Sequence, residues 1–115
     1  MNTTKRIHSK KNNTFMKLEI IDNGAEIKAI LTGRLDTAAS AQFATDMQPL
    51  MDHADKHILL DCSGLEFISS SGLRLFLTLR KATIAAHGDV TISGMNNEVK
   101  QVFALTGFLS LFKIV

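Results

Sequence analysis

The chain has few of the residues that build aromatic or metal-binding sites. Its 115 residues include seven Phe but no Trp and no Tyr, so neither an aromatic-lined pocket nor a platform for base stacking is expected. Cys62 is the sole cysteine. It cannot form an internal disulfide, and no Cys/His cluster surrounds it to hold a metal. We expect Cys62 to be a small apolar residue at the end of a buried strand, in a reducing compartment.

Long apolar runs are also missing. No stretch approaches the roughly 20 apolar residues of a membrane-spanning helix. The N-terminus lacks the apolar segment and small-residue cleavage pattern of a signal peptide. We therefore expect a cytoplasmic protein that does not insert into a membrane. Its length, with 45% hydrophobic and 21% charged residues, is typical of one globular domain.

Positive charge is concentrated at the N-terminus. The formal net charge is +2, yet the first 13 positions hold four basic and no acidic residues, which leaves 9 basic and 11 acidic residues elsewhere. Residues 1–14 are polar and lack periodicity, which predicts a disordered basic leader before a folded domain over residues 15–115. The leader could alternatively be a nucleic-acid arm. Four charges without aromatic residues would bind weakly, so we expect no nucleic-acid partner.

Alternating apolar and polar residues predict strands in the first part of the domain. Residues 16–20 and 25–32 show this alternation, and the turn signal Asp22-Asn23-Gly24 between them predicts an antiparallel hairpin. The continuous apolar run at residues 57–61 is typical of a central strand covered on both faces. A loop should follow this run. Shorter strands are predicted at residues 90–92 and 112–115.

Helical periodicity separates these strands. Asp36 or Thr37 can cap a first helix, which Pro49 should interrupt. A second, heavily apolar helix follows the serine run Ser69-Ser70-Ser71, and a third follows residues 96–97. The order β-β-α-β-α-β-α-β predicts an α/β single domain. Its central sheet should be mostly parallel, with an antiparallel N-terminal hairpin and helices packed on the sheet.

The serine run is the most informative feature of the chain. The N-terminus of a helix favours negative charge, so a phosphate on one of these serines would be tolerated locally. The same phosphate would add a charge of about −1.5 to −2 to the surface. These properties suit a switch that leaves the fold intact. The three serines can equally be only capping and turn residues.

Two motifs point to a known family. The first is Gly33-Arg34-Leu35-Asp36 after the second predicted strand. The second runs from Asp61 near the end of the third strand to Phe67-Ile68-Ser69-Ser70-Ser71-Gly72-Leu73. Together, in this strand and helix order, they make residues 15–115 resemble a STAS domain of the bacterial anti-sigma factor antagonist type. Ser69 stands where that family has an Asp.

The resemblance implies a binding module rather than an enzyme. Unphosphorylated antagonists of this family bind an anti-sigma factor, often a serine kinase with a GHKL-type ATP site, and thereby release a sigma factor. Phosphorylation switches this binding off, and a phosphatase restores it. By position the acceptor would be Ser70, with Ser71 capping the helix and Ser71 and Ser69 as less favoured acceptors.

The partner surface implied by the resemblance surrounds the acceptor. Asp36 matches the family's Asp beside the acceptor serine, and the full set of expected contact residues is Arg34, Asp36, Thr37, Ser69, Ser71, Gly72, Arg74 and Thr78. A second reading within the same fold is a STAS subunit of a membrane lipid-transport complex of the ABC type, which would bind its ATPase constitutively.

Catalysis is not expected. The sequence has no Gly-x-Ser-x-Gly elbow and no phosphate-binding loop of the Gly-Lys-Ser/Thr type. The histidines at positions 53, 57 and 87 fall at predicted helix and strand ends, far from the serine run. We therefore predict no catalytic residue, no metal and no cofactor.

Overall fold

A computed structural model describes residues 5–8 and 16–115 of the chain. In chain order its elements are β1 (Lys5–His8), β2 (Met16–Asp22), β3 (Glu26–Leu35), α1 (Thr37–Asp46), α2 (Gln48–Asp52), β4 (His57–Ile68), α3 (Ser70–Ala85), β5 (Asp89–Ser93), α4 (Asn97–Thr106) and β6 (Lys113–Ile114). A 3-10 turn, Phe108–Leu111, precedes β6. The described strands form one sheet in the order β1-β2-β3-β4-β5-β6. The pairs β1/β2 and β2/β3 are antiparallel and the others are parallel, which confirms the predicted fold class.

The described helices lie on one face of the sheet. The units β3-α1-β4, β4-α3-β5 and β5-α4-β6 each join neighbouring strands in one direction. Right-handed crossovers that advance in one direction place their helices on the same side. Burial in β4 agrees, since Ile58, Leu60 and Cys62 are buried while Leu59 and Asp61 between them are only partly so. The described helices therefore cover one face of β4, whereas its apolar run predicted that both faces are covered.

A row of phenylalanines forms the centre of the core. Phe43 from α1, Phe76 from α3, Phe103 from α4 and Phe112 beside β6 are all buried. Successive ring centroids lie 6.1, 6.0 and 5.8 Å apart, within the range of favourable aromatic pairs. Phe76 contacts a ring on each side, so α3 is the middle helix and packs between α1 and α4.

The strand β4 is longer than predicted. It continues from His57 to Ile68, through the segment that was predicted to be a loop. Its 12 residues pair with the 10 residues of β3, and the register shifts twice. Each shift adds an unpaired residue and breaks the two-residue period. Leu65 and Ile68 therefore both point into the core although they are three residues apart, which conceals the strand in the sequence.

Part of the basic leader forms a strand. Lys5–His8 pairs antiparallel with β2, with Ile7 opposite Ile20, whereas disorder was predicted over residues 1–14. Pairing at a sheet edge depends on backbone hydrogen bonds, which a short, mainly polar sequence does not reveal. Residues 1–4 and 9–15 lie outside the described residues, and so does the predicted start of the domain at residue 15.

The predicted turn at Gly24 and the predicted interruption of the helix at Pro49 are confirmed. In the β2–β3 turn, Asp22 Oδ1 accepts a hydrogen bond from the Gly24 N–H at 2.8 Å, and Gly24 has φ +90°. Pro49 lies in the first turn of α2, so it separates two helical segments. Cys62 is buried, within β4 rather than at its end, and burial raises the pKa of its thiol to about 12. Among the described residues, no helix is both long and apolar enough to cross a membrane.

The phenylalanine row predicts where the fold is most sensitive. Phe76→Ala removes the ring that contacts both neighbours, so we expect a loss of about 3–5 kcal/mol in the free energy of unfolding, measured by urea denaturation. Ile84→Ala on the same helix is the matched control, because Ile84 is 55% exposed. Its cost should stay within about 0.5 kcal/mol. Similar losses in the two variants would contradict a central role for Phe76.

Candidate functional site

The strands β3 and β4 end side by side, and each leads directly into a helix. Leu35 is paired with Ile68, and the backbone N–H of Ser69 donates to the Leu35 carbonyl at 2.8 Å. The next residue of each strand, Asp36 or Ser69, is the N-cap of α1 or α3. The N-termini of the two helices therefore lie together at the edge of the sheet where β3 and β4 end. Both sequence motifs end at this edge.

Ser69 caps α3, which corrects the prediction that Ser71 does so. The Ser69 hydroxyl accepts a hydrogen bond from the Gly72 N–H at 3.1 Å, and its backbone is extended (φ −89°, ψ 170°). Because β4 continues to Ile68, the helix starts two residues earlier than predicted. Ser and Asp are comparably good N-caps. Ser69 can therefore replace the family's Asp without loss of the cap.

Ser70 is the most accessible of the three serines. It is the first residue of α3 and is exposed, whereas Ser69 and Ser71 are partly buried. Within residues 16–115 the Ser70 hydroxyl forms no hydrogen bond, while the hydroxyl of Ser69 is occupied by capping. Ser70 is thus the hydroxyl that a modifying enzyme can reach without breaking a contact that holds the helix.

Gly72 has a packing role that the sequence prediction missed. It is buried, and a Cβ atom at this position would lie 2.6 Å from Leu35 Cγ and 3.2 Å from Ile68 Cγ1. A side chain would therefore push the start of α3 away from the strand ends. The prediction that Gly72 itself contacts a partner does not fit this burial. Gly72 instead allows the start of α3 to pack closely against the ends of β3 and β4.

Asp36 and Thr37 lie at the same edge. Asp36 Oδ1 accepts a hydrogen bond from the Ala39 N–H at 2.8 Å, so this carboxylate caps α1 as predicted. The side chain is partly buried, while Thr37 is exposed as the first residue of α1. Thr37 and Ser70 therefore occupy corresponding positions on neighbouring helices.

Arg34 lies on the opposite face of the sheet from Arg74 and Thr78. Arg74 and Thr78 are exposed on α3, one and two turns after Ser70, and Thr78 Oγ1 donates to the Arg74 carbonyl at 3.0 Å. Arg34 pairs with Phe67 and its guanidinium lies 4.6 Å from the centre of that ring. Since the adjacent Leu35 points to the helix-covered face, Arg34 points to the opposite face. The structure therefore separates Arg34 from the helix residues with which the sequence grouped it.

Phe67 is a residue that the sequence reasoning did not select. Its ring holds the Arg34 guanidinium in place, and the arrangement joins the two motifs across neighbouring strands. The signal was the position of both residues immediately before the apolar residue that ends each strand. This signal can be interpreted only when the β3/β4 register is known, and the bulges hide that register in the sequence.

Asp61, the first residue of the second motif, has a structural role on the opposite face of the sheet. Its Oδ1 accepts hydrogen bonds from the Ser63 hydroxyl at 2.7 Å and the Ser63 N–H at 3.0 Å, and its Oδ2 lies 4.0 Å from Lys28 Nζ. The hydroxyl bond lowers the pKa of Asp61; burial opposes this, and the Ser63 N–H and Lys28 lower it further. The carboxylate thereby ties together the first bulge of β4.

The capping geometry predicts how the serines differ. Ser69→Ala should lower the free energy of unfolding by about 1 kcal/mol, because the Gly72 N–H loses its acceptor, while Ser69→Asp should keep most of the stability. Ser71→Ala is the control and should cost less. Urea denaturation of the three variants measures this. A larger loss from Ser71→Ala than from Ser69→Ala would place the cap at Ser71 after all.

The lowered pKa of Asp61 predicts an acid-dependent loss of stability. Because the pKa is lower in the folded chain, Asp61 contributes stability above its ordinary pKa of about 4, and this contribution is lost as the pH falls through the folded value. The difference in unfolding free energy between the wild type and Asp61→Asn should therefore shrink below about pH 4. Urea denaturation across this range measures it; parallel profiles for the two proteins would disprove it.

Comparisons with known proteins identify the family. The STAS domain family matches residues 26–115. A Bordetella bronchiseptica protein named as a candidate anti-sigma factor antagonist, BtrV, is 29% identical over 99 residues, which cover 86% of this chain and 85% of BtrV.

Two solved structures share the fold. The crystal structure of a Thermotoga maritima protein described as a candidate anti-sigma factor antagonist has a TM-score of 0.68 at 24% identity, with 87% of this chain and 84% of that one covered. The Bacillus cell fate determinant SpoIIAA in its phosphorylated form has a TM-score of 0.63 at 21% identity, with 87% and 90% covered. Since the family match spans most of the sequence and includes both motifs, the chain belongs to the STAS domain family.

Proposed function

We propose that this chain is an anti-sigma factor antagonist that acts in the cytoplasm. Its unphosphorylated form binds an anti-sigma factor, itself a serine kinase of the GHKL type, and so releases a sigma factor. The kinase transfers the γ-phosphoryl group of ATP to Ser70 Oγ, with release of ADP and the hydroxyl proton, and this ends binding. A phosphatase hydrolyses the phosphate and restores it. The observation that carries the proposal is the exposed Ser70 hydroxyl at the start of a firmly seated helix.

The relatives support this role. BtrV and the Thermotoga maritima protein are both described as candidate anti-sigma factor antagonists. SpoIIAA, which shares the fold, has been solved in a phosphorylated form. Phosphorylation of a protein of this fold is therefore compatible with a folded chain.

The physical setting of Ser70 suits a switch at the surface. The contacts that seat α3 are the Ser69 cap, the Ser69–Leu35 hydrogen bond and the packing of Gly72 on Leu35. None of them uses the Ser70 side chain. A phosphate at the N-terminus of the helix would be stabilised by the helix dipole. Modification would consequently change the surface charge and leave the core as it is.

The energy that the switch requires is small. A tenfold weakening of partner binding corresponds to about 1.4 kcal/mol. A phosphoserine carries a charge of about −1.5 to −2, and burying it against an apolar or acidic partner surface costs more than this. Asp36 at the same edge of the sheet adds a further negative charge. A rearrangement of the fold is not needed.

The proposed partner surface follows the edge where β3 and β4 end. It consists of Asp36, Thr37, Ser69, Ser70 and Ser71 at the two helix N-termini, extended along α3 by Arg74 and Thr78. Arg34 would contact the same partner only if the partner also reached the opposite face of the sheet.

Substitutions at Ser70 test the switch. Ser70→Ala should bind the anti-sigma factor as tightly as the wild type, whereas Ser70→Asp should bind about tenfold or more weakly because of its negative charge. Affinities measured by calorimetry with the purified anti-sigma factor from the same bacterium would decide. Ser110→Asp places the same charge at an exposed residue of the 3-10 turn and is the matched control.

Equal binding by Ser70→Ala and Ser70→Asp would contradict the switch. It would instead fit a subunit that binds its partner constitutively, as in a lipid-transport complex. The genes beside this one provide an independent check. A kinase or phosphatase gene favours the sigma-factor pathway, and transporter genes favour the other.

A further inference from the structure

Arg74 is placed to respond to the charge on Ser70. The two residues are four positions apart on the exposed side of α3, and such residues are neighbours on a helix surface, with Cβ atoms about 5–6 Å apart. Helical side chains lean toward the N-terminus of their helix. The long side chain of Arg74 therefore leans over the turn that carries Ser70.

Arg74 is also uncommitted. Within residues 16–115 its guanidinium forms no ion pair or hydrogen bond, because Thr78 Oγ1 donates to the backbone carbonyl of Arg74 and not to its side chain. The nearby carboxylate of Asp36 is already the cap of α1. An exposed guanidinium without a partner among residues 16–115 can bind a carboxylate or a phosphate.

The other cations of this region are less suitable. Arg34 lies over Phe67 and points to the opposite face of the sheet. Arg80 is partly buried, and Lys81 is about three turns from Ser70. Arg74 is therefore the one described cation within a single turn of Ser70 on α3.

We infer that Arg74 is the residue through which phosphorylation of Ser70 acts. In the unmodified chain Arg74 pairs with a carboxylate of the anti-sigma factor. In the phosphorylated chain the Arg74 guanidinium pairs with the phosphate of Ser70. The carboxylate of the partner then loses its ion pair with Arg74 and also lies close to the negatively charged phosphate. This inference rests on the proposed function, and it specifies the partner as carrying an acidic group opposite α3.

The intramolecular pair can be tested without the partner. In chains with phosphoserine incorporated at position 70 during translation, the ³¹P resonance reports the second ionisation of the phosphate, near pH 6. We expect the midpoint to be about 0.3 pH unit lower when Arg74 is present than in Arg74→Gln, because the guanidinium favours the doubly ionised phosphate. This shift corresponds to the energy of a surface ion pair one helical turn apart. Lys81→Gln is the matched control and should match the Arg74 chain. Equal midpoints with and without Arg74 would overturn the pairing.

The contact with the partner has a separate test. Unmodified Arg74→Gln should bind the anti-sigma factor about fivefold or more weakly than the wild type, and phosphorylation should then reduce its affinity by a smaller factor than in the wild type. Lys81→Gln should bind normally. If Arg74→Gln bound like the wild type and lost binding fully on phosphorylation, this inference would be wrong while the proposed function stood. If phosphorylation left the binding of the wild type unchanged, the proposed function itself would fail.

Discussion

The hydrogen bond from the Ser69 N–H to the Leu35 carbonyl determines how the two motifs meet. It extends the β3/β4 pairing to Ser69, the N-cap of α3. Because Asp36, the N-cap of α1, directly follows Leu35, the starts of the two helices are fixed relative to each other. Gly72 then allows α3 to rest directly on Leu35 and Ile68. The exposed residues Thr37 and Ser70 follow from this junction, because each is the first residue after a cap.

The junction separates stability from signalling. The residues that position α3 are buried or have occupied hydroxyl and backbone groups. The side chains of Ser70 and Arg74 are exposed and form no hydrogen bond or ion pair within residues 16–115. The phenylalanine row holds the same helix from below through Phe76. A charge added at Ser70 therefore changes the electrostatic energy of partner binding. It does not change the packing of the core, which is close-packed beneath α3.

The fold class could be predicted from the sequence because it depends on local signals, whereas the meeting of the two motifs was implied by the family resemblance. The hairpin turn at Gly24, the cap at Asp36 and the break at Pro49 are each specified by one or two residues. The second half of β4 was missed because its bulges disrupt the alternation that marks a strand. The capping serine was misassigned for the same reason, since the start of α3 depends on where β4 ends.

Other features depend on tertiary structure alone. That the helices lie on one face follows from the sequential strand order, which the sequence did not specify. The separation of Arg34 from Arg74 follows from the β3/β4 register. The strand at Lys5–His8 requires the free edge of β2 as its template. In each case the information lies in a pairing between distant segments, so no local pattern could report it.

The substitution of Ser69 for the family's Asp now has a physical interpretation. The capping function is retained, because the Ser69 hydroxyl accepts the Gly72 N–H, but the negative charge before Ser70 is lost. Phosphopeptide mass spectrometry of the protein isolated from its own cells tests most directly whether the switch operates. We expect one phosphate, located on Ser70. A chain that is never phosphorylated under any growth condition, or one that carries its phosphate on Ser69 or Ser71, would contradict the proposed switch.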